Sequence, residues 1–362
     1  MESTRPTLME IDLNAFNHNI NEIKKYIGPN KEIMPVIKAN AYGTYINKRL
    51  DIINNFNIIA VAITNEAIEL RKLGYNKEIF ILNQPYIDEL PQIIKHNITI
   101  GLSDESFLTK ILKINTPIKV HLEIETGMNR TGININNLES FITTIKQNKN
   151  IQVVGIYTHL SRADNDYEYT NNQLEIFKKA LNIVKSNFNT IKYIHTSASN
   201  GLLNFKENFT NLVRPGIIMY GYPSFNEVKN LINLKPIAKL KSKITFIKEV
   251  PENTSIGYGR NYITNKPTKI ATIPMGYADG LRRELSNKGK IIINNTIVPI
   301  IGNICMDSFM VDITNLENVK VGDDIYIWDN KLITLEELSN NCNTINYEII
   351  STISSRVPRI FK

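Results

Sequence analysis

Short, β-branched apolar runs alternate with longer amphipathic segments over the first 230 residues of the chain. In residues 65–73, Ala67, Ile68 and Leu70 recur at the spacing of one helical face, which predicts an amphipathic helix. Similar segments predict helices at 104–114, 137–146 and 171–185. The apolar runs predict eight strands, at 33–37, 58–62, 78–82, 98–102, 118–124, 151–158, 191–197 and 212–219.

The alternation of strands with helices is typical of a parallel sheet, and eight such units predict a closed (β/α)8 TIM barrel over residues 1–230. The alternative is an open, doubly wound sheet. Such a sheet usually carries a glycine-rich phosphate-binding turn after its first strand, and residues 38–43 do not have that pattern. The sequence therefore favours the barrel.

The pattern changes near residue 230, where long helical segments give way to short strands. Turn residues such as Asn287-Lys288-Gly289 separate these strands. The strands are predicted at 239–250, 268–274, 290–301, 306–313 and 324–328. We therefore predict a second, mostly β domain over residues 231–362.

The composition narrows the functional classes. With 362 residues, 42% of them hydrophobic, the chain can bury a large core, and its net charge of +7 is spread without a basic block. This argues against a nucleic-acid interface. The two cysteines, Cys305 and Cys342, form neither a disulfide framework nor a metal-binding spacing, so no metal site is expected. We find no secretory signal or membrane-spanning run, and expect a soluble, cytoplasmic protein.

Lys38 ends the first predicted strand, directly after the apolar run 33–37. A lysine at the end of a buried strand is costly unless it is paired or reactive, and lysine amines form Schiff bases with aldehydes. On this stretch alone, a side chain that extends to solvent is the simpler explanation. The case for a cofactor-binding lysine therefore depends on the other strand ends.

Four more polar side chains follow the ends of later predicted strands, where TIM barrels gather their active groups. They are Arg130, His159, Ser199 and Arg214. Each alone has an ordinary explanation: a surface ion pair for an arginine, a buried hydrogen-bonded histidine, or a helix cap for the serine. Five candidates at the ends of different strands of one barrel favour a shared site.

The backbone N–H groups of Gly216 and Ile217 add a candidate anion cradle beside Ser199, since glycine lets the backbone approach a ligand closely. A lysine opposite such a cradle is the arrangement expected of a pyridoxal 5'-phosphate site.

The second domain carries further candidates. Tyr258 stands between Gly257 and Gly259, which predicts an exposed loop that presents a phenol, although an aromatic residue in an ordinary turn has the same pattern. The stretches 274–280 and 302–307 also place small or polar residues at strand ends. Their candidate residues are Tyr277, Met306 and Asp307.

Together these motifs resemble those of the alanine racemase family. Residues 36–43, Val-Ile-Lys-Ala-Asn-Ala-Tyr-Gly, are similar to the cofactor-lysine motif of that family. The other motifs follow in the family's order over nearly the whole chain, at 126–132, 155–159, 213–216, 274–280, 306–307 and 355–359.

The resemblance implies a fold-type III pyridoxal 5'-phosphate enzyme that is a head-to-tail homodimer with shared active sites. It implies that residues 7–13 join the β domain, and that Tyr258 and Met306 reach the partner's barrel. The implied reaction is interconversion of L- and D-alanine, which supplies D-alanine for peptidoglycan. The alternative is a racemase of broad specificity that acts on serine or basic amino acids.

The resemblance also implies a role for each candidate. Lys38 and Tyr258 would move the α-proton on opposite faces of the substrate, while Arg130, Tyr277 and Met306 would bind or enclose the substrate. The cofactor would be held by Lys38, Tyr42, His159, Ser199, Arg214, Gly216 and Ile217, with Asp307 in support.

The chain departs from the family pattern at Glu123, seven residues before Arg130, where many members carry a carbamylated lysine. We expect the Glu123 carboxylate to supply the same negative charge and to position Arg130. Arg214 argues against a fold-type III decarboxylase, for which an acidic partner of the cofactor ring nitrogen is expected. Tyr258 and the β domain argue against a non-catalytic cofactor carrier. Further departures from the pattern are Ala198, Ser355 and Thr44-Tyr45.

Overall fold

The computed structural model describes residues 4–223 and 231–362. The chain begins with strand β1 (Leu8–Ile11) and helix α1 (Leu13–Ile27). Helix α1 begins at Asp12, whose carboxylate accepts a hydrogen bond from the Ala15 N–H at 2.9 Å. Its apolar face is buried against the first domain.

Eight parallel strand segments form the first domain. They are β2 (Glu32–Ile33), β3 (Ile58–Val61), β4 (Glu78–Ile81), β5 (Thr99–Leu102), β6 (Ile118–Glu123), β7 (Ile151–Tyr157), β8 (Tyr193–His195) and β9 (Leu212–Val213). Strands β3 to β8 pair in sequence order, and β2 pairs with β9. Two parallel bridges, Val36 with Ala60 and Ala198 with Arg214, join the two sheets. The ring is therefore closed, and the predicted barrel is confirmed.

Helical segments connect the barrel strands, as the sequence pattern predicts. They are α2 (Lys38–Tyr42), α3 (Leu50–Ile53), α4 (Thr64–Leu73), α5 (Leu90–Lys95), α6 (Glu105–Ile111), α7 (Leu138–Ile145), α8 (Tyr167–Asn187) and α9 (Ser199–Asn204). The eighth strand is shorter than predicted. Strand β9 ends at Val213, and a 3₁₀ turn (Ile217–Tyr220) follows Pro215, which has no N–H to continue the strand pairing.

Aromatic rings from four strands meet inside the barrel. The ring of Phe80 in β4 stacks on His121 in β6 at 4.3 Å between centroids, and Tyr157 in β7 stacks on His195 in β8 at 5.1 Å. Phe80 also meets His195 edge to face at 5.7 Å. Contacts across the ring require inward-facing side chains, so this layer fills the barrel below its carboxyl end.

The second domain is built on a nine-stranded sheet. Its further strands are β10 (Ala238–Lys243), β11 (Phe246–Val250), β12 (Thr268–Ile273), β13 (Lys290–Ile293), β14 (Thr296–Ile301), β15 (Phe309–Asp312), β16 (Asp324–Trp328) and β17 (Arg359–Phe361). The strand order is β11-β12-β15-β14-β13-β16-β10-β1-β17. Met9 of β1 lies opposite Leu240 in antiparallel pairing and opposite Arg359 in parallel pairing. The first and last strands of the chain are thus neighbours.

Two helices, α10 (Leu335–Asn341) and α11 (Asn346–Ser351), lie between β16 and β17. Helix α11 contacts α2, so this part of the β domain reaches the carboxyl end of the barrel of its own chain. Among the described residues, no helix is long and apolar enough to cross a membrane.

Candidate active site

The chain leaves the first barrel strand in a left-handed turn that begins at Lys38. Residues 39–42 all have φ between 52° and 55°, and Gly43 follows with φ 77°. The N–H groups of Ala41 and Gly43 donate to the carbonyls of Ile37 and Ala39 at 2.9 and 2.8 Å. The turn therefore has the hydrogen bonds of an α-helix, but its backbone is left-handed. Left-handed helical backbone costs roughly 1–2 kcal/mol for each non-glycine residue. Strain of this size points to a functional position.

Lys38 itself is half-buried, and burial is the main cause that lowers the pKa of its amine. The positive charge of Arg130 lowers this pKa further, while the carboxylate of Glu66 opposes the shift. The amine is therefore more often neutral, and nucleophilic, than that of an exposed lysine.

Arg214 is the centre of a buried hydrogen-bond network at the end of the last strand. Its side chain is only 2% exposed, and burial lowers its pKa to about 10. Nη2 donates to the carbonyls of Thr158 and Thr196 at 2.8 and 2.9 Å, and lies 3.4 Å from Nδ1 of His159. These three contacts to two strand ends fix the plane of the guanidinium.

Two histidines continue this network into the barrel. Nη1 of Arg214 donates to Nδ1 of His195 at 2.8 Å, so the proton of His195 lies on Nε2. That nitrogen donates in turn to Nδ1 of His121 at 2.9 Å. The sequence prediction gave neither histidine a role. The signal was present, since a histidine inside an apolar strand requires a buried hydrogen-bond partner.

The histidines of the network are neutral near pH 7. Burial, followed by the charge of Arg214, lowers the pKa of both His159 and His121 to about 3. The same two causes hold the pKa of His195 well below its usual value. Within this network, the positive charge is therefore carried by the guanidinium of Arg214 rather than by a histidine.

Three predicted anion-binding groups converge beside the turn. Ser199 begins α9, and its hydroxyl accepts a hydrogen bond from the N–H of Gly216 at 3.0 Å. A Cβ at Gly216 would overlap the hydroxyl of Tyr42. Ile217 is the first residue of the following 3₁₀ turn, where N–H groups lack an acceptor within the turn. The hydroxyls of Ser199 and Tyr42 thus lie next to Gly216, at the start of the 3₁₀ turn.

Glu123 ends β6 and is buried, with Oε1 accepting from the hydroxyl of Thr131 at 2.9 Å. Oε2 has no hydrogen-bond partner among the residues that the structure describes. Burial is the main cause that raises the pKa of this carboxyl, although Arg130 and Arg214 oppose the shift. Arg130 is exposed, and no ion pair within 4.0 Å joins it to Glu123 in the described ranges. The expectation that Glu123 positions Arg130 stays a prediction.

The loop that carries Arg130 is shaped by a residue that the sequence prediction missed. The carboxylate of Glu125 accepts hydrogen bonds from the N–H groups of Gly127 and Asn129, the second at 2.9 Å. The hydroxyl of Tyr169 in α8 donates to the Gly127 carbonyl at 2.8 Å.

The candidates of the β domain form a separate, exposed group. Tyr258 is 74% exposed, and its carbonyl accepts from the side-chain amide of Asn303 at 2.7 Å. Met306 and Tyr277 are 53% and 44% exposed, and the Tyr277 N–H donates to the Cys305 carbonyl at 3.0 Å. In the described part of the chain, no hydrogen bond joins this group to Lys38. Within one chain, the barrel candidates therefore lie together at one end of the barrel, whereas the β-domain candidates lie outside that site.

Asp307 pairs with Arg356 at 2.7 Å, beside this exposed group. The neighbouring Asp279 is buried and pairs with Arg5 at 2.6 Å. Within the described residues, there is no group of three or more His, Cys, Asp or Glu side chains that could hold a metal ion.

Comparison with known sequences decides the family. The sequence model described as alanine racemase, N-terminal domain, matches residues 11–224, and that of the C-terminal domain matches residues 237–361. The chain belongs to the alanine racemase family. Alanine racemase 2 of Caldanaerobacter subterraneus is 37% identical over 99% of this chain and 96% of its own length. The alanine racemase of Methanococcus maripaludis is 39% identical over 99% of each chain.

Solved alanine racemases have the same fold. The enzyme of Clostridium difficile 630 is 34% identical, with a TM-score of 0.92 over 100% of this chain and 97% of that chain. The Bacillus anthracis enzyme, solved with bound L-Ala-P, is 31% identical, with a TM-score of 0.93 over 100% and 96% of the two chains.

Alanine racemases depend on pyridoxal 5'-phosphate, and the barrel residues of this chain fit that cofactor. The amine of Lys38 suits an aldehyde, and the two hydroxyls with the Gly216 and Ile217 N–H groups suit a phosphate. The absence of a side chain at Gly216 leaves room next to the Tyr42 hydroxyl. Arg214 offers a donor at the barrel end, which suits an unprotonated ring nitrogen.

Proposed function

We propose that this chain interconverts L- and D-alanine with pyridoxal 5'-phosphate as its cofactor. The observation that carries the proposal is that the Ser199 hydroxyl lies on the Gly216 N–H and the Tyr42 hydroxyl lies next to Gly216 Cα, beside a turn that presents a half-buried lysine. Membership of the alanine racemase family supports the same reaction.

In this proposal, residues at the carboxyl end of the barrel hold both ends of the cofactor. Tyr42, Ser199, Gly216 and Ile217 would bind the phosphate, and Lys38 would bind the aldehyde carbon. Arg214 would donate to the ring nitrogen, since the network behind the guanidinium fixes its plane. The chemistry that pyridoxal 5'-phosphate would supply there is an electron-withdrawing ring, which makes the α-proton of a bound amino acid more acidic.

Two groups of the protein then move the α-proton. The amine of Lys38 serves one face of the substrate, because its lowered pKa favours the neutral form that accepts a proton. The phenol of Tyr258 from a second subunit serves the other face. His159 is neutral near pH 7, because burial and the charge of Arg214 lower its pKa.

The remaining candidates act on the substrate. We assign Arg130 to the substrate carboxylate, because an exposed guanidinium at the barrel mouth can bind it with two hydrogen bonds. Tyr277 and Met306 are assigned to the walls of the entrance, with Asp307 holding their loop through Arg356. Glu123 is assigned a supporting role.

The proposal requires a homodimer. Tyr258, Met306 and Phe246 expose large apolar or aromatic surface on the β domain, at 74%, 53% and 55% of their areas. A second barrel that covers this surface would bring the phenol to Lys38 and complete the site. The proposal also divides the chain into a barrel, residues 1–230, and a β domain, residues 231–362, with β1 in the second sheet.

Isotope exchange tests the reaction. The purified enzyme is incubated with L- or D-alanine in deuterated water, and the products are separated by chiral chromatography. We expect inversion with incorporation of deuterium at the α-carbon. Lys38→Ala and Tyr258→Phe should each abolish inversion, while borohydride should trap the cofactor on Lys38 in the wild-type and Tyr258→Phe proteins but not in Lys38→Ala. Serine or lysine inverting while alanine does not exchange would contradict the substrate assignment.

Subunit mixing tests the shared site. Lys38→Ala and Tyr258→Phe subunits are each inactive, but a dimer that contains one of each has one intact site. Random mixing should therefore restore about a quarter of the wild-type activity. No recovery after verified exchange of subunits would contradict the shared site. The proposal further includes a cytoplasmic location and a supply of D-alanine to peptidoglycan, which cell fractionation and D-alanine rescue of a deletion strain would test.

A further inference from the structure

The turn that presents Lys38 has a backbone conformation that its own residues do not favour. Ala39, Ala41 and Tyr42 have φ near +50°, a region that alanine and tyrosine rarely adopt. Asn40 and Gly43 tolerate it better, but they do not account for the other three. The surrounding structure must therefore hold the turn, and two charged side chains contact its ends.

Glu66 holds the beginning of the turn. Its Oε1 accepts a hydrogen bond from the Ala39 N–H at 2.6 Å, and its Oε2 accepts from the Ala62 N–H at 2.9 Å. Glu66 lies in α4, which follows the neighbouring strand β3. The carboxylate thus ties the residue after Lys38 to the next strand of the barrel.

Arg359 holds the end of the turn. Its Nε donates to the Gly43 carbonyl at 2.8 Å, and its Nη groups donate to the carbonyls of Ile353, Ser354 and Val357. Its guanidinium also stacks on the ring of Tyr45, with Cζ 4.7 Å from the ring centroid. Five contacts fix this side chain, and one of them reaches the turn.

Arg359 belongs to β17, the last strand of the described chain, so the β domain contacts the barrel of its own subunit at this point. Gly43 is part of the same contact, because a Cβ there would overlap the Ile350 carbonyl of α11. The hydrogen bond from Arg359 to the Gly43 carbonyl is therefore a polar contact between the β domain and the end of the turn.

We propose that Arg359 is a positioning residue for Lys38: its hydrogen bond to the Gly43 carbonyl keeps the left-handed turn in place and so sets the position of the amine. Glu66 acts at the opposite end of the turn. The inference rests on the proposed cofactor role of Lys38. It assigns to the C-terminal strand a part in cofactor binding without contact to the cofactor.

The chain offers a matched control. Arg71 also donates to four backbone carbonyls, those of Tyr75, Lys77, His96 and Asn97, at 2.7–3.0 Å. These carbonyls precede β4 and β5, at the opposite end of the barrel from Lys38. Arg71→Met therefore removes a similar set of hydrogen bonds without touching the turn.

The test compares Arg359→Met, Arg359→Lys and Arg71→Met holoenzymes. Amide hydrogen exchange is followed by mass spectrometry in the peptides that cover residues 38–46 and 75–97, and cofactor affinity by equilibrium dialysis. We expect Arg359→Met to speed exchange in 38–46 by about tenfold or more and to weaken cofactor affinity by about tenfold. Arg359→Lys should have intermediate values, since an ammonium cannot reach all four carbonyls.

Arg71→Met should speed exchange only in 75–97 and leave cofactor affinity within about twofold of wild type. Wild-type exchange in 38–46 for Arg359→Met would overturn the proposal. So would an equal loosening of 38–46 by Arg71→Met, because the effect would then be a general loss of stability. If Arg359→Met does not fold, wild-type behaviour of Arg359→Lys in both measurements overturns it. Failure of Lys38 to bind cofactor would instead appear in wild type, as absence of a borohydride adduct.

Discussion

Nη1 of Arg214 lies 2.8 Å from Nδ1 of His195, and this nitrogen can only accept, because a guanidinium has no acceptor. The second nitrogen of His195 must then donate to His121, whose Nε2 is left buried without a partner among the described residues. The hydrogen bonds that orient Arg214 therefore leave His121 Nε2 buried and unsatisfied within the described part of the chain. This cost suggests that the orientation of Arg214 matters for the reaction.

Replacement of His195 tests that orientation. His195→Leu removes the acceptor for Nη1 of Arg214, and a buried group without its partner costs about 1–3 kcal/mol of unfolding free energy. We expect this loss together with a lower kcat at little change in KM. His195→Gln offers an amide oxygen as acceptor and should recover part of both. Urea unfolding and steady-state kinetics measure the two effects, and wild-type kcat in His195→Leu would contradict the role.

The buried histidines predict how stability depends on pH. His121 and His159 have a pKa of about 3 when folded, below the usual 6.5, so the unfolded chain binds more protons between these values. The unfolding free energy should therefore fall as the pH drops below about 6.5, and the two groups should have no effect above it. Glu123 acts in the opposite direction, because its pKa is raised.

A single variant separates these contributions. His159→Gln cannot take up a proton, so the slope of unfolding free energy against pH should fall by about 1.4 kcal/mol per pH unit in this range. Urea unfolding of the cofactor-free protein at several pH values measures the slope. An unchanged slope would show that His159 is charged, or exposed, in the folded protein.

Glu123→Gln separates charge from shape. The amide keeps an acceptor for the Thr131 hydroxyl but removes the negative charge. We expect activity to fall, while the unfolding free energy stays the same or rises, because burial already disfavours the charged form. Added bicarbonate should not change the reaction rate of the variant or of the wild-type enzyme. Dependence of the wild-type rate on bicarbonate would refute the expectation that the carboxylate replaces a carbamate.

Gly43→Ala tests the contact between the turn and the β domain. Gly74 is a closer control, since its backbone is also left-handed, with φ 101° and ψ 11° against 77° and −1° at Gly43, but a Cβ there would make only an ordinary contact with Leu50. Gly74→Ala should lose only the backbone preference, about 1 kcal/mol. Gly43→Ala should lose clearly more and should bind the cofactor weakly, because its Cβ overlaps the Ile350 carbonyl. Thermal unfolding and dialysis with cofactor compare the two; equal losses would show that the contact adjusts freely.

Gly216→Ala tests the anion cradle. The backbone of Gly216 has φ −120° and ψ −100°, outside the regions that alanine favours, so the variant should also lose some stability. Its methyl group would overlap the Tyr42 hydroxyl and fill the space assigned to the phosphate. We expect weaker binding of both cofactor and inorganic phosphate, measured by calorimetry. The double variant Gly216→Ala, Tyr42→Phe removes the overlap, but it should still bind phosphate more weakly than wild type. The reason is that the Tyr42 hydroxyl is itself a hydrogen-bond donor to the phosphate in the proposed site.

The barrel could be predicted from the sequence because its strands are continuous apolar runs and its longer helices have a clear period. Helix α1 was not singled out, since asparagines at 14, 17, 19 and 21 hide its apolar face. The predicted strand 239–250 is two strands, β10 and β11, because the chain turns at Ile244 and Thr245. Helices α10 and α11 are short, and their stability comes from packing rather than from a long periodic pattern.

The candidate site was predicted as a set of strand ends, and the barrel brings Lys38, His159, Ser199 and Arg214 to one end. The network behind them was not predicted, because which histidine meets Arg214 depends on the packing of inward-facing rings across the barrel. The left-handed turn could not be predicted from the sequence pattern either, since Ala39, Ala41 and Tyr42 have no intrinsic preference for left-handed backbone. Tertiary contacts such as those of Arg359 decide that conformation.

The pairing of the first strand with the last has a consequence for the nascent chain on the ribosome. Strand β1 is synthesised more than three hundred residues before its parallel neighbour β17, and Arg359 arrives only with that final strand. The barrel can collapse earlier, but the hydrogen bond from Arg359 to the Gly43 carbonyl can form only after β17 has left the ribosome. A protein that lacks residues 359–362 should therefore emerge folded over most of its length and yet bind pyridoxal 5'-phosphate only weakly.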